Sequence, residues 1–441
     1  MAILQKSPTV YDDGPARTDY RALSIVTMLF FIWGFLTCLN DILIPHLQSI
    51  FSLTYFQSML IQFAFFGAYA VFALPAGKLV EMIGYKRAMV TGLLIAAAGA
   101  LLFLPASSVP SYPFFLGAQV ILAAGITVLQ VSANPYVSII GPSRTASSRL
   151  NLTQAFNSLG TTVAPKFGGL FILTAATYTA AQMALLSPAT LQAYRQQQAS
   201  TVRIPYIGIA VALIALGVAL ALLRLPQTAN TREFRASDMN VDEGPFSILK
   251  HPQLVLAAIG IFTYVGAEVS IGSFLVKYFH EPYIANLSEQ SAAGYVAFYW
   301  GGAMIGRFIG SAILQKVRTG LVLGIAAVVA CLLVITSIMT FGHVAMWVML
   351  AVGLFNSIMF PSIFTLGIEG LGPLTGRGSG LLVAAIVGGA LIPLAEGRLT
   401  DNIGIHHAFV IPAICYVYIA IFGFTRLRSG TVATALEGSK G

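Results

Sequence analysis

Twelve times along its 441 residues this chain runs through about twenty consecutive apolar residues, and that feature limits what it can fold into more than any other. A helix of about twenty residues spans the hydrocarbon core of a bilayer. In hydrocarbon the backbone must satisfy its own hydrogen bonds, which leaves only α-helices and closed β-barrels. Barrel strands read as alternating segments of about ten residues, unlike the continuous runs here. The runs fall at 22–46, 56–79, 88–106, 112–138, 149–175 and 205–224, then at 252–279, 291–315, 320–341, 345–368, 378–397 and 408–425. Only 9% of the residues are charged, too few to clothe a water-soluble globule of this length. The expectation is an all-α membrane protein with twelve transmembrane helices in a lipid bilayer.

The polar stretches divide the chain into an N-terminal tail (1–21), a six-helix bundle (22–224), a linker (225–251), a second six-helix bundle (252–425) and a C-terminal tail (426–441). An even number of crossings puts both tails on one side. Eighteen of the 24 lysines and arginines fall on that side and four on the other, with Lys166 and Arg307 inside spans. Such a bias marks the cytoplasmic face, so both termini are expected there. The same distribution accounts for the net charge of +8 without a nucleic-acid partner, since the basic residues form no stripe or aromatic platform. Cys38, Cys331 and Cys415 all lie in apolar runs and outline no disulfide framework or zinc site.

The halves echo one another. Pro135 and Gly141 recur 226 residues later as Pro361 and Gly367, and Gly160, Pro165 and Gly169 recur 228 residues later as Gly388, Pro393 and Gly397. Two matches at nearly one offset predict pseudo-symmetric bundles that rock about a site near the bilayer midplane, 22–224 against 252–425.

Charged side chains at membrane depth are costly and face a cavity or a partner, so each marks a candidate site. Asp41 in span one and Glu268 in span seven have no opposite charge one helical turn away. A desolvated carboxyl takes up a proton readily and a deprotonated one ligates a cation, so both are candidates for ion coupling, with proton or sodium as the ion. Six amides form a second set: Gln62, Gln130, Asn134, Gln154, Asn157 and Asn356, the last at the repeat position of Gln130. Amides offer donors and acceptors together, which suits the hydroxyls of a neutral sugar. Lys166, Glu369 and Glu396 have no evident role, although Lys166 and Glu396 are candidates to pair across helices.

Between spans two and three the segment Gly77-Lys78-Leu79-Val80-Glu81-Met82-Ile83-Gly84-Tyr85-Lys86-Arg87 places glycines, an acid and two bases where helix ends meet. It resembles the major facilitator signature G-x-L-x-D-x-x-G-x-[KR]-[KR], with Glu81 at the aspartate. Gly306-Arg307 in span eight resembles a degenerate copy. A gating role is expected for Gly77, Glu81, Gly84, Lys86, Arg87 and Arg307.

Longer motifs carry a closer resemblance. Asn40-Asp41-Ile42-Leu43-Ile44-Pro45, Ala133-Asn134-Pro135-Tyr136-Val137, Leu150 to Ser158 and Pro361 to Ile368 are similar to the fucose–galactose–glucose/proton symporter family. The resemblance runs from about residue 20 to about residue 425. It implies a major facilitator of the bacterial inner membrane that imports a hexose with a cation, functioning as a monomer. It also implies coupling carboxylates in spans one and four. Asp41 matches the first, whereas Gln130 stands at the second and cannot titrate. The acid of span seven, in Gly266-Ala267-Glu268-Val269-Ser270, is closer to the glucose/galactose branch, which has sodium-coupled relatives.

Other readings are import of an amino sugar such as N-acetylglucosamine, import of L-fucose, and drug export, against which the amide set counts. No metal-ligand cluster, nucleophile elbow or phosphate loop appears, so neither an enzyme nor a resident cofactor is expected.

Overall fold

The computed structural model describes residues 17–51, 53, 55–108, 111–171, 182–183, 185–223, 225 and 247–427. Most of the expected linker, 226–246, lies outside them. Among the described residues, nine helical stretches are long and apolar enough to cross a membrane.

The N-terminal half comprises α1 (Tyr20–Phe51), α2 (Tyr55–Ser108), α3 (Tyr112–Ile139), α4 (Ala146–Phe171), the polar α5 (Pro188–Ser200) and α6 (Arg203–Leu222). The C-terminal half comprises α7 (Pro252–His280), α8 (Glu289–Ile313), α9 (Thr319–Met339), α10 (Gly342–Asn356), α11 (Met359–Ile368), α12 (Thr375–Ala384), α13 (Gly388–Ile403), α14 (Ile405–Ala408) and α15 (Val410–Thr425). Spans two and three, which read as separate runs, are the two helical arms of α2, and the helix is broken between them at Gly84. There φ is 78°, a left-handed value that a side chain would disfavour, so glycine makes the corner. Spans ten and eleven are each broken into two helices, ten around Ser357 and Ile358 and eleven at a 3₁₀ turn over Ala385–Val387.

The repeat seen in sequence is present in packing. A Cβ on Gly160 would collide with the carbonyl of Phe31, and one on Gly388 with that of Phe262. Small residues let paired membrane helices approach to backbone contact. Helices α1 and α4 therefore cross as α7 and α13 do, giving two pseudo-symmetric six-helix bundles.

Arg149 counts in sequence toward the positive side of the membrane, yet it is buried. Its Nε donates to Val137 O at 3.0 Å, and its terminal nitrogens donate to the carbonyls of Ser138, Gly141 and Pro142 and to Thr145 Oγ1. These carbonyls lie at and just beyond the C-terminus of α3, where a helix leaves its last acceptors unpaired and its dipole favours a cation. The guanidinium fork closes the α3–α4 corner and sets the start of α4.

Candidate functional site

Proline at the two repeat positions prepares the centre of the molecule. Lacking an N–H, it leaves the carbonyl four residues earlier without its helical donor. Pro135 frees Val131 O, which accepts instead from Ser379 Oγ of α12 at 2.9 Å. Pro361 frees Ser357 O, and Arg307 Nε of α8 lies 3.4 Å from it. A proline signature in the chain is thus converted into buried carbonyl acceptors that face other helices.

Matched amide–tyrosine pairs accompany these prolines. Gln130 Nε2 donates to Tyr69 Oη at 2.6 Å in the N-terminal half, and Asn356 Nδ2 to Tyr299 Oη at 2.8 Å in the C-terminal half. All four residues are buried, and the pairs occupy equivalent places in the two bundles. Asn157 Nδ2 donates to Phe30 O at 2.9 Å, tying α4 to α1. Asn134 is wholly buried, and neither atom of its amide has a partner among the described residues. Gln154 is buried on α4. Asp41 and Gln62 belong to α1 and α2, but their side chains lie outside the described set, as does that of Lys166.

Glu268 acquires a partner that local spacing did not reveal. Its Oε1 accepts from Tyr264 Oη at 2.7 Å and lies 3.9 Å from Arg307 Nη2, with both charged side chains 13% exposed. Tyr299 Oη donates to the backbone carbonyl of Glu268 at 3.2 Å. Arg307 also reaches across to the other half. Its Nη1 donates to Ser158 Oγ and lies 3.4 Å from Gln154 O, while Asn151 Nδ2 donates to Arg307 O at 2.7 Å. One guanidinium therefore joins the acid of α7 to the backbone and hydroxyl of α4. An unpaired acid and an unpaired base in neighbouring spans of one half were the available sequence signal for this pair.

Further contacts between the halves gather on the side where the chain's described ends lie. Glu81 Oε2 accepts from Arg377 Nε at 2.7 Å. Ser147 Oγ bonds Thr365 Oγ1, and Ser148 Oγ donates to Ser311 O at 2.7 Å. Gly77 faces the backbone of Gly376, where a Cβ would sit 2.9 Å from the carbonyl oxygen. Lys86 Nζ donates to Ala221 O at 2.7 Å within its own half, and Arg87 is exposed. Of the segment around Gly84, Gly77 and Glu81 meet the opposite half, Gly84 turns the chain, and Lys86 anchors α2 to α6. Arg307 is set apart from them, beside Glu268.

This close approach has a direct consequence. Gly77→Val is expected to wedge α2 away from α12 and raise labelling of a cysteine placed at Ser148 by a membrane-impermeant maleimide. Labelling unchanged from the Gly77 parent would show that the two helices do not need to touch.

The sequence profile of the Major Facilitator Superfamily matches residues 23–386. A glucose/galactose transporter of Brucella abortus biovar 1 is 54% identical over 92% of this chain and 94% of its own. The L-fucose-proton symporter of Escherichia coli K12 is 35% identical over 95% of this chain and 96% of its own. The crystal structure of the transporter FucP in the outward conformation superposes with a TM-score of 0.84 at 33% identity, covering 92% of this chain and 98% of that one. With its helices in two matched bundles and a profile match across most of its length, this chain belongs to the Major Facilitator Superfamily.

Proposed function

We propose that the protein imports a neutral hexose of the glucose/galactose type together with a proton, by alternating access between residues 22–224 and 252–425. The observation that carries this reading is the seam at Arg307. A carboxylate able to take up a proton shares its only described cation with contacts that hold the halves together. Neutralising Glu268 would weaken its hold on Arg307 and so alter the link to α4, which couples ion occupancy to conformation. Asp41 is the second coupling carboxylate. The amides Gln62, Gln130, Asn134, Gln154, Asn157 and Asn356 supply donors and acceptors for sugar hydroxyls, and the names of the relatives favour hexose and proton. Gln130 and Asn356 are engaged with tyrosines, so substrate would meet amide–tyrosine pairs that are already oriented.

The protein would work as a single chain in a bacterial inner membrane, with Glu81 and Arg377 latching the cytoplasmic face on which both termini lie. Proteoliposome uptake of radiolabelled glucose, galactose, L-fucose and N-acetylglucosamine tests the reading under separately imposed proton and sodium gradients. Glucose or galactose should accumulate under an inward proton gradient. Stimulation by sodium alone would reassign the ion to a sodium site at Asp41 or Glu268, and no stimulation by either would replace symport with facilitated diffusion.

A further inference from the structure

Glu396, on α13 in span eleven, is used by none of the interactions above. It is wholly buried, and so is Ser270 on α7, whose hydroxyl bonds Glu396 Oε2. The other carboxylate oxygen, Oε1, has no hydrogen-bond partner among the described residues, and no cation there lies within ion-pair reach. This is the reverse of Glu268, which is held beside a guanidinium. An ionised carboxylate enclosed by protein at membrane depth needs a counter-charge or several donors, and one hydroxyl does not meet that need. A protonated carboxyl does fit: a single hydroxyl satisfies it on one side, and no charge is buried.

Among the described residues the surroundings keep to this pattern, and the buried His406 of α14 is engaged with Tyr278 Oη at 3.1 Å. Across from it on α15, Cys415 and Tyr416 are neutral at physiological pH by their ordinary values. On α7 the nearest lysine, Lys277, is exposed two turns beyond Ser270, and on α13 itself Arg398 is exposed. The α2 face that approaches α13 does so through Phe66, beside Gly389. Glu268 is engaged by Arg307 and Tyr264.

Span eleven is also built to change course. The 3₁₀ turn at Ala385–Val387 separates α13 from α12, and Pro393 removes one internal hydrogen bond of α13 one turn before Glu396. A carboxyl on such a segment changes its enclosure when the segment moves.

We propose that Glu396 is a proton-binding site of the C-terminal bundle, loaded in the conformation described here and emptied when α13 moves against α7. The step is simple in balance: a proton from one side converts the carboxylate to the acid, and the acid returns it to the other side. This inference rests on the symport reading and adds a carrier distinct from Asp41 and Glu268.

The Glu396→Gln variant, which imitates the permanently loaded acid, tests it in proteoliposomes. Uptake driven by a proton gradient and sugar-evoked proton entry should each fall at least about tenfold, with sugar counterflow kept within about twofold. Infrared difference spectra between high and low pH should also lose a protonated-carboxyl band. Proton-driven uptake and the band both retained at parental levels would overturn the proposal, as would uptake and counterflow lost together in a folded variant. Parent protein that moves no protons with sugar would instead remove the symport reading itself. Should Glu396→Gln fail to fold, Ser270→Ala keeps the carboxyl and removes its one hydroxyl. The same band should then shift in frequency, and an unshifted band would overturn the assignment.

Discussion

Arg307→Ala is expected to lower hexose accumulation by about two orders of magnitude while leaving the twelve-helix fold in place. The change strands Glu268 at membrane depth, since Arg307 is the one cation that reaches it among the described residues. Removing one member of a buried pair costs about 3–5 kcal/mol, because the remaining charge is left uncompensated. The protein can recover part of that by holding Glu268 protonated, and then the carboxyl no longer cycles. The same substitution also deletes the contacts to Ser158 and to the carbonyls of Gln154 and Ser357. Arg307→Lys keeps the charge but loses the planar fork that reaches α4, α7 and Ser357 together, so it should restore stability more than transport. The double variant Arg307→Ala/Glu268→Gln removes both charges. Its thermal midpoint in detergent should return toward that of the parent, with accumulation still absent. Accumulation within twofold of the parent in Arg307→Ala alone would remove the pair from the mechanism.

Asp41→Asn is expected to abolish accumulation against a gradient and to spare exchange of sugar across the membrane. The amide has nearly the same shape and keeps hydrogen-bonding capacity, but it neither takes up a proton nor carries charge. Exchange needs only that the loaded carrier reorient, whereas accumulation needs the ion to be released on the far side. Counterflow with intact amplitude beside absent proton-driven uptake is the expected pattern. Full concentrative uptake by the variant would exclude Asp41 from coupling and leave Glu268 and Glu396 as the carboxyls to consider.

Much of this protein was legible before any coordinates. The crossing number follows from span length, a local property imposed by the thickness of hydrocarbon. The duplicated bundles followed from glycine and proline spacing, and the packing of Gly160 and Gly388 against equivalent carbonyls shows why those positions recur. The segment around Gly84 was recognisable because its corner needs a left-handed glycine. Glu268 stood out because a charge within a span always requires explanation.

What the chain could not disclose by itself is which groups meet. Local spacing left Glu268 without a partner, and only the packing of α7 beside α8 brought Arg307 to it. The ion pair between Glu81 and Arg377 joins residues 296 apart, and the bond between Ser270 and Glu396 joins residues 126 apart. The acceptors freed by Pro135 and Pro361 could be foreseen, but not that Ser379 and Arg307 would use them. The physical reason is common to all of these pairings. Insertion into lipid is decided one segment at a time by solvation, and that is written in consecutive residues. Pairing inside the bundle depends on helix rotation and crossing, which only the assembled packing of all the helices decides.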